Sequence, residues 1–234
     1  RQRWQGPGAS VAYDDEMIRQ RLRDLARPCY LIKNGRGIGL TNEGSLCTTK
    51  SGGSELLAVA RPLPAQRLGD PEFRETYDLT YAYMTGAMAN AIASEEMVIE
   101  LGKERLLGSF GAGGLTPQQL EAAIRRIQVA LPTGPYAFNL IHSPNEPALE
   151  RAAVDLYLKH GVRVVEASAY LRLTPQVVRY RVAGLEQDPD GSVRIRNRII
   201  AKLSRREVAR QFLSPAPANL LKQLVEQGQV TEAQ

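Results

Sequence analysis

Cysteine and histidine are scarce in this sequence. It contains two cysteines, Cys29 and Cys47, and two histidines in 234 residues, with no CxxC pair. A disulfide framework needs several cysteines in a short chain, and a structural zinc site needs four clustered cysteine or histidine ligands. The composition therefore predicts two ordinary thiols and no metal site.

Long hydrophobic runs are absent as well. The longest uncharged apolar stretch covers residues 81–94, which is short of the roughly 20 residues that a membrane span requires. No basic and then apolar signal segment opens the chain, and secreted proteins use cysteine more heavily. We therefore expect a cytoplasmic protein without a membrane partner.

Motifs of the common nucleotide-binding and hydrolytic sites are also missing. The chain has neither a GxGxxG fingerprint nor a Walker motif, which argues against a Rossmann nicotinamide site and against a P-loop. It shows no Ser–His–Asp set, Cys–His set or carboxylate dyad. These absences exclude several enzyme classes and leave a small-molecule site of another kind open.

Charge of one sign is in modest excess and is unevenly placed. The formal net charge is +5. Between residues 194 and 210 a single anion, Glu207, is outnumbered by seven cations: Arg194, Arg196, Arg198, Lys202, Arg205, Arg206 and Arg210. Such a run is either a solvated face or a docking patch for an anionic partner. Because no aromatic residues are interleaved with the cations, we expect no nucleic-acid partner.

What the chain does have is the balance of a globular protein, with 43% hydrophobic and 24% charged residues. Its first 70 residues are rich in turn residues. Residues 30–41 predict a β-hairpin with a type I′ turn, because Asn34-Gly35 suits the two positive-φ positions. A loop at 48–54 and a third strand at Leu56–Ala60 follow, and the proline-rich segment 61–71 reads as a linker.

From residue 81 onward, short apolar runs alternate with amphipathic helices. The runs cover residues 81–88, 106–113, 136–142, 162–168 and 195–203. Ser94 and Thr116-Pro117 are typical helix starts. This alternation predicts repeated βαβ units and a parallel sheet, as either an open doubly wound sheet or a (β/α)₈ barrel. Eight barrel units typically take about 250 residues, so this chain has room for about five.

In either architecture ligands bind at the carboxyl ends of the strands. The loop Gly86-Ala87-Met88 follows the first run, and small residues there let a flat ligand approach the backbone. Gly111, Gly113 and Gly114 follow the second run. They serve either the same purpose or simply a tight turn from strand to helix.

Polar residues at the later strand ends are further candidates. Asn139 needs either a ligand or a protein partner, because an unpaired buried amide is costly. His142 is either a proton-exchanging group or a loop residue, whereas His160, at a helix end, reads as structural. Glu166 is either an interior polar residue or a ligand contact. Lys202 can point its ammonium at an anionic or electron-rich ring while its stem packs.

Several long segments resemble the PfaD family. They are residues 81–94, 108–115, 138–150, 154–163, 167–175, 178–181 and 198–209, and the resemblance runs from about Pro28 onward. This family comprises enoyl reductases of trans-acyltransferase polyketide synthases and of polyunsaturated fatty acid synthases, related to nitronate monooxygenases. The resemblance implies a TIM barrel with FMN, and NADPH-dependent reduction of a 2,3-enoyl thioester on an acyl carrier protein. Acyltransferase or synthase domains are the further partners it implies.

Site roles follow from the resemblance residue by residue. The loop Gly86-Ala87-Met88 would back the isoalloxazine ring, and Asn139 would bond its polar edge. Lys202 would approach the N1/O2 side, with His142 a weaker candidate for the same pocket. The basic run gains a partner under this reading, because carrier proteins are acidic.

The family's expected active-site histidine, in a Ser-Gly-Gly-His motif, and its loops for the FMN phosphate would lie beyond residue 234. The catalytic residue is therefore unknown in this chain, and we expect the amino-terminal portion of a larger reductase. The expected domains are a cap with a β-hairpin at 1–75, about the first five barrel strands at 76–213, and the start of a helical lid at 214–234. The alternatives are a nitronate monooxygenase-like flavin oxidase and a non-catalytic half-barrel that docks a carrier or synthase partner.

Overall fold

The computed structural model describes residues 2–48 and 52–234. They form two compact units, of which the first runs to Pro71 and the second covers Glu72–Gln234. The predicted loop at 48–54 lies partly outside the described residues. The expected domain bounds stay predictions.

The first unit is an antiparallel sheet with one helix. Its elements are β1 (Arg3–Gln5), α1 (Asp15–Arg23), β2 (Cys29–Asn34), β3 (Gly37–Thr41), β4 (Ser45–Cys47) and β5 (Ser54–Ala60). The strand order is β3-β2-β5-β1-β4, so the predicted third strand is confirmed as part of β5, which pairs with β2. Trp4, Val11, Tyr30 and Ile32 form the buried core of this unit.

The predicted hairpin is confirmed, but its turn type is wrong. Asn34 pairs with Gly37, so Gly35 and Arg36 are the turn residues. The positive φ of 113° falls on Gly37 rather than on the Asn34-Gly35 pair. The side chain of Asn34 accepts a hydrogen bond from the Arg36 N–H at 2.9 Å. Asparagine thus shapes this turn through its side chain and not through a left-handed backbone.

The second unit alternates strands and helices. Its helices are α2 (Pro71–Tyr77), α3 (Glu95–Lys103), α4 (Pro117–Ala130), α5 (Pro147–Lys159), α6 (Pro175–Val182), α7 (Arg206–Phe212) and α8 (Ala218–Glu226). Its strands are β6 (Met84–Thr85), β7 (Leu107–Phe110), β8 (Ala137–Ile141), β9 (Val164–Ser168), β10 (Leu185–Gln187), β11 (Val193–Ile195) and β12 (Arg198–Ala201). None of the helices described is long and apolar enough to cross a membrane.

Five of these strands form one parallel sheet in the order β6-β7-β8-β9-β12. A doubly wound sheet reverses its strand order at a switch point, whereas this order simply follows the chain, as in a barrel. The sheet is also curved. Neighbouring strands lie about 4.8 Å apart, so β6 and β9 would be about 14 Å apart in a flat sheet. Yet Glu166 on β9 accepts a hydrogen bond of 2.8 Å from the Ala87 N–H just after β6. The prediction of about five strands of a TIM barrel is confirmed.

Two strand predictions need correction. The first parallel strand is only Met84–Thr85, not the whole run from Tyr81 to Met88. The fifth begins at Arg198, because Ile195 pairs with Leu185 in a separate antiparallel hairpin. Lys202 therefore lies directly after the fifth strand rather than within it.

The helix starts are as predicted. Ser94 accepts a hydrogen bond from the Met97 N–H, and Thr116 forms a reciprocal capping box with Gln119. The apolar stripe of α4 is buried: Leu120, Ala123, Ile124, Ile127 and Leu131. These residues join the main core, where Phe110, Phe138 and Val165 face the helices. Burying each such side chain contributes about 1.5–3 kcal/mol to stability.

Candidate functional site

The site lies on the face of the parallel sheet opposite the helices, called here the inner face. Successive residues of a strand alternate between faces, so Phe138 and Val165 face the helices while Asn139 and Glu166 face the other way. Near the amino ends of the strands the inner face is apolar. Its residues there are Leu107 and Ala137, packed with Met84, Val164 and Ile200. Toward the carboxyl ends it becomes polar.

Glu166 is the centre of the polar part. Only 1% of its surface is exposed. Its Oε2 accepts the Ala87 N–H at 2.8 Å, and its Oε1 lies 2.6 Å from Nζ of Lys202. That ion pair is close but poorly aligned, so within the described residues Oε1 has no hydrogen bond of good geometry. The carboxylate thus joins the loop after β6 to the end of β12.

Lys202 supplies the positive charge at the edge of this cluster. Its backbone N–H donates to the Ala167 carbonyl at 2.9 Å, which extends the ladder between β12 and β9 by one bond. Its side chain is 56% exposed. The ammonium is therefore accessible from solvent even though its partner carboxylate is buried.

Asn139 lies beside Glu166 in the strand register and is 5% exposed. Its amide nitrogen donates to the Glu166 carbonyl at 3.1 Å and to Oγ of Ser168 at 2.8 Å. We expected either a ligand or a protein partner for this amide, and the structure shows protein partners for the amide nitrogen. Both N–H bonds are used, so the amide oxygen is the atom left for a ligand.

Gly86 leaves open space next to the carboxylate. A β-carbon built at this position has one neighbour within 4 Å, Oε1 of Glu166 at 3.9 Å. Gly86 and Met88 are exposed and Ala87 is half-buried. Packing does not require a glycine here, in contrast to the next loop.

Gly111 and Gly114 are explained by the fold. A β-carbon on Gly111 would collide with the carbonyl of Met88, and Gly114 has a left-handed backbone with a φ of 83° as well as a close contact with the side chain of Asn90. Backbone hydrogen bonds join the two loops, including Asn90 N–H to the Gly113 carbonyl at 2.7 Å. For Gly111 and Gly114 the simpler interpretation, a tight turn, is the one that the structure supports, whereas a β-carbon on Gly113 would make only ordinary contacts.

His142 belongs to a second cluster. Its Nδ1 lies 3.1 Å from Oε2 of Glu150, and its ring stacks on Tyr170 with centroids 5.3 Å apart. Glu150 is 4% exposed. It also accepts hydrogen bonds from the hydroxyls of Tyr170, at 2.9 Å, and Thr174. The structure therefore does not bring His142 together with Glu166 and Lys202.

Burial raises the pKa of the Tyr170 phenol, and the negative charge of Glu150 raises it further. The phenol consequently stays protonated and remains a donor to Glu150. Sequence reasoning missed this carboxylate, although a signal was present. Glu150 shares the buried face of α5 with Val154 and Tyr157, at a helical spacing of four and seven residues.

His160 is structural, as its position suggested. It caps the carboxyl end of α5, and its Nε2 lies 2.7 Å from Oε1 of Glu121. Hydrogen bonds from Lys159, His160 and Arg125, in that order of effect, lower the pKa of Glu121 to about 2. This network is on the surface and away from the inner face.

The basic run is not a single free face. Arg194 and Arg196 of the β10–β11 hairpin pair with Glu186, and Arg194 also pairs with Asp188. Lys202 pairs with Glu166, and Arg205 lies 3.4 Å from Glu207. The cations are therefore spread over β11, β12, α7 and the segments between them, and at least four of the seven have carboxylate partners.

Cys29 and Cys47 are both half-buried. Over residues 2–48 and 52–234, no three cysteine, histidine or carboxylate side chains come together in a way that would hold a metal ion.

Five parallel strands in chain order define part of a β/α barrel, and the polar cluster lies at their carboxyl ends, where barrels of this kind bind their ligands. Residues 4–62 match the model of the fatty acid synthase subunit PfaD N-terminal domain. The resemblance to the PfaD family is thereby confirmed.

Three relatives support this resemblance. A polyunsaturated fatty acid synthase subunit of Thraustochytrium is 48% identical over 98% of this chain and 15% of its own length. Polyketide biosynthesis protein PksE of Bacillus subtilis is 45% identical over 74% of this chain and 23% of its own. The enoyl reductase domain of MlnA, from the macrolactin cluster of Bacillus amyloliquefaciens, is 45% identical with a TM-score of 0.69. That match covers 72% of this chain and 39% of the domain. The chain thus spans well under half the length of these relatives.

Proposed function

We propose that this chain supplies the ring-facing part of an FMN-dependent, NADPH-driven enoyl reductase. Its substrate is a 2,3-enoyl thioester on an acyl carrier protein, in polyketide or polyunsaturated fatty acid synthesis. The observation that carries the proposal is the likeness in sequence and fold to the enoyl reductase domain of MlnA. The polar cluster on the inner face supplies the residues that we propose to contact the flavin ring.

The residues present fit a flat, polar-edged ring. Gly86 leaves space above Glu166 that no packing explains. Ser109, on the inner side of β7, is fully buried, and its hydroxyl has no hydrogen-bond partner among the described residues. Oε1 of Glu166 likewise lacks a hydrogen bond of good geometry. Buried polar atoms are normally paired, so their concentration beside open backbone is typical of a binding site.

The loop Gly86-Ala87-Met88 would lie against the ring, and Asn139 would offer its amide oxygen to the polar edge. FMN, when bound, would supply the hydride chemistry of the reduction. Lys202 would hold a positive charge on the side where the reduced ring carries negative charge. A cation preorganised at such a position stabilises charge that develops during the reaction.

We assign none of the described residues as the donor of the proton for the α-carbon. His142 stacks on Tyr170 and faces Glu150, so it is not proposed as a ring contact or as the acid. The names of the relatives, as subunits of a fatty acid synthase and as a polyketide biosynthesis protein, support the synthase partners. The carrier-bound substrate is proposed from the resemblance to the PfaD family.

The test is FMN binding by the protein as its gene encodes it, followed by absorbance and by release of the chromophore on denaturation. We expect one FMN per chain, and weaker binding by Lys202→Met. Activity of the same protein is then assayed as NADPH oxidation with a crotonyl thioester. A folded protein that stays colourless with added FMN would contradict the proposal and favour a docking module. Oxygen uptake with a nitronate, without enoyl reduction, would favour an oxidase.

A further inference from the structure

We infer that Glu166 is a positioning residue that fixes the Lys202 ammonium and the Ala87 N–H relative to one another and balances the charge of Lys202. The inference rests on the proposed function for its consequence, namely that this pair sets how strongly the site favours the reduced ring. Neither the family resemblance nor the relatives assign Glu166 a role.

The geometry is that of a junction. Ala87 is 79 residues before Glu166 in the chain, and it is joined to Oε2 at 2.8 Å. Lys202 follows a different strand, and its Nζ is 2.6 Å from Oε1. Both groups are proposed ring contacts, and one carboxylate holds them. Their separation is therefore determined by Glu166 and not by either loop alone.

The charge balance is equally specific. Removing a carboxylate from water costs several kcal/mol unless an opposite charge and hydrogen bonds compensate. Lys202 is the ion-pair partner that the described residues give Glu166. The pair as a whole is neutral, so the ring would lie next to an ammonium whose charge is largely balanced by the Glu166 carboxylate.

A purely structural carboxylate would be fully paired. Glu150, equally buried, is surrounded by a ring nitrogen and two hydroxyls. Glu166 has one aligned hydrogen bond and one misaligned ion pair, next to the open space at Gly86. The unfilled bonding capacity faces the position proposed for the ring.

The decisive variant is Glu166→Gln, which keeps the shape and an acceptor for the Ala87 N–H but removes the charge. Lys202 then becomes an unbalanced and less restrained cation. We expect two measurable results, one without flavin and one with it. Glu150→Gln is the matched control, because it removes an equally buried carboxylate that does not contact Lys202.

Without flavin, the readout is the acetylation rate of Lys202 by a water-soluble N-hydroxysuccinimide ester, measured by peptide mass spectrometry. Lys103 is the internal standard, because it pairs with Glu100 on the surface and does not belong to the Glu166 cluster. We expect Glu166→Gln to raise the relative rate at Lys202 at least threefold and Glu150→Gln to leave it unchanged. An unchanged rate in a variant that circular dichroism shows to be folded overturns the positioning role.

With FMN bound, the readout is the flavin midpoint potential. We expect Glu166→Gln to favour the reduced ring about tenfold, which is about +30 mV for a two-electron couple. Lys202→Met should shift it the opposite way, because it leaves the Glu166 carboxylate without its counterion, and the double variant, which lacks both charges, should lie close to the parent. If the parent chain binds no FMN, the proposed function fails and the acetylation result still decides the role of Glu166. If FMN binds but Glu166→Gln leaves the potential unchanged, the inference fails and the proposed function stands.

Discussion

Two carboxylates of the second unit are almost fully buried, Glu150 in the helix layer and Glu166 on the inner face. Glu150 is enclosed by Tyr170, Thr174 and His142. Glu166 keeps one oxygen without a hydrogen bond of good geometry, and its counterion is half exposed. Burial is the same in both cases, and the completeness of the pairing differs. Incomplete pairing, rather than burial, is what marks the side of the sheet on which a ligand is expected.

The glycines repeat this contrast. Gly111 is in contact with the preceding loop and leaves no room for a methyl group, whereas Gly86 faces open space beside Glu166. One glycine is therefore explained by the fold, and the other is not. Substitutions can test whether this division between structural and site residues is real.

The largest effect is expected at Gly111. In Gly111→Ala the new methyl group would collide with the Met88 carbonyl, and backbone cannot move aside as a flexible side chain can. We expect a loss of at least about 3 kcal/mol in the free energy of unfolding, at the upper end of overpacking costs. Urea unfolding followed by circular dichroism measures this change. A variant as stable as the parent would show that the loops are not locked as described.

A smaller loss is expected from Glu150→Gln. The amide oxygen can still accept from the Tyr170 and Thr174 hydroxyls, which share one oxygen of Glu150, but the amide loses the charge that strengthens these bonds and places a donor beside Nδ1 of His142. We expect about 2 kcal/mol of destabilisation by urea unfolding, with FMN affinity unchanged in the variant that remains folded. Weaker FMN binding by folded Glu150→Gln would show that Glu150 is not purely structural and that the contrast with Glu166 is wrong.

Gly86→Ala should have the opposite pattern, with unchanged stability and weaker FMN binding. The methyl group has room, so we expect a change in unfolding free energy within about 0.5 kcal/mol. The same methyl group would occupy the space proposed for the ring, and FMN affinity should fall about tenfold, or about 1.4 kcal/mol. Absorbance titration with FMN measures the affinity. If Gly86→Ala binds FMN as tightly as the parent chain, the ring does not lie against this loop.

The smallest effect concerns Glu121, a partly exposed carboxylate that serves as the surface reference for the two buried ones. Its pKa is lowered from 4.5 to about 2, first by the hydrogen bond from Lys159. A lowered pKa in the folded state means that the ionised carboxylate stabilises the fold above about pH 4.5, and that this contribution is lost as the pH falls toward 2. The melting temperatures of the parent chain and Glu121→Gln should therefore differ at pH 7 and converge near pH 2. A constant difference across this range would show that the ion pairs of Glu121 do not affect stability.

Local patterns predicted much of the second unit. Ser94 and Thr116 start their helices as expected, and the spacing of apolar runs predicted the five parallel strands. Long-range pairing decided what the patterns could not. Ile195 looked like the start of the fifth strand until its pairing with Leu185 placed it in a hairpin.

The candidate site shows the same limit. Asn139 and Lys202 stood out as polar residues in apolar runs, and the structure brings both to the Glu166 carboxylate or its backbone. His142 stood out for the same reason and belongs elsewhere, because the side chain it meets, Glu150, lies in the first turn of the following helix. Which polar residues converge depends on register and loop course, and neither is encoded locally.

The bond from Glu166 to the Ala87 N–H has a thermodynamic consequence. It connects β9 to the loop after β6, across two intervening strands, while the ion pair with Lys202 reaches the other edge strand, β12. The site thus exists only when both edges of the sheet are in place. A ligand that binds there binds the assembled sheet and not its parts, so mass action makes it stabilise the first and last strands together. Protection of β6 and β12 against hydrogen exchange should then rise in concert as the ligand concentration is raised.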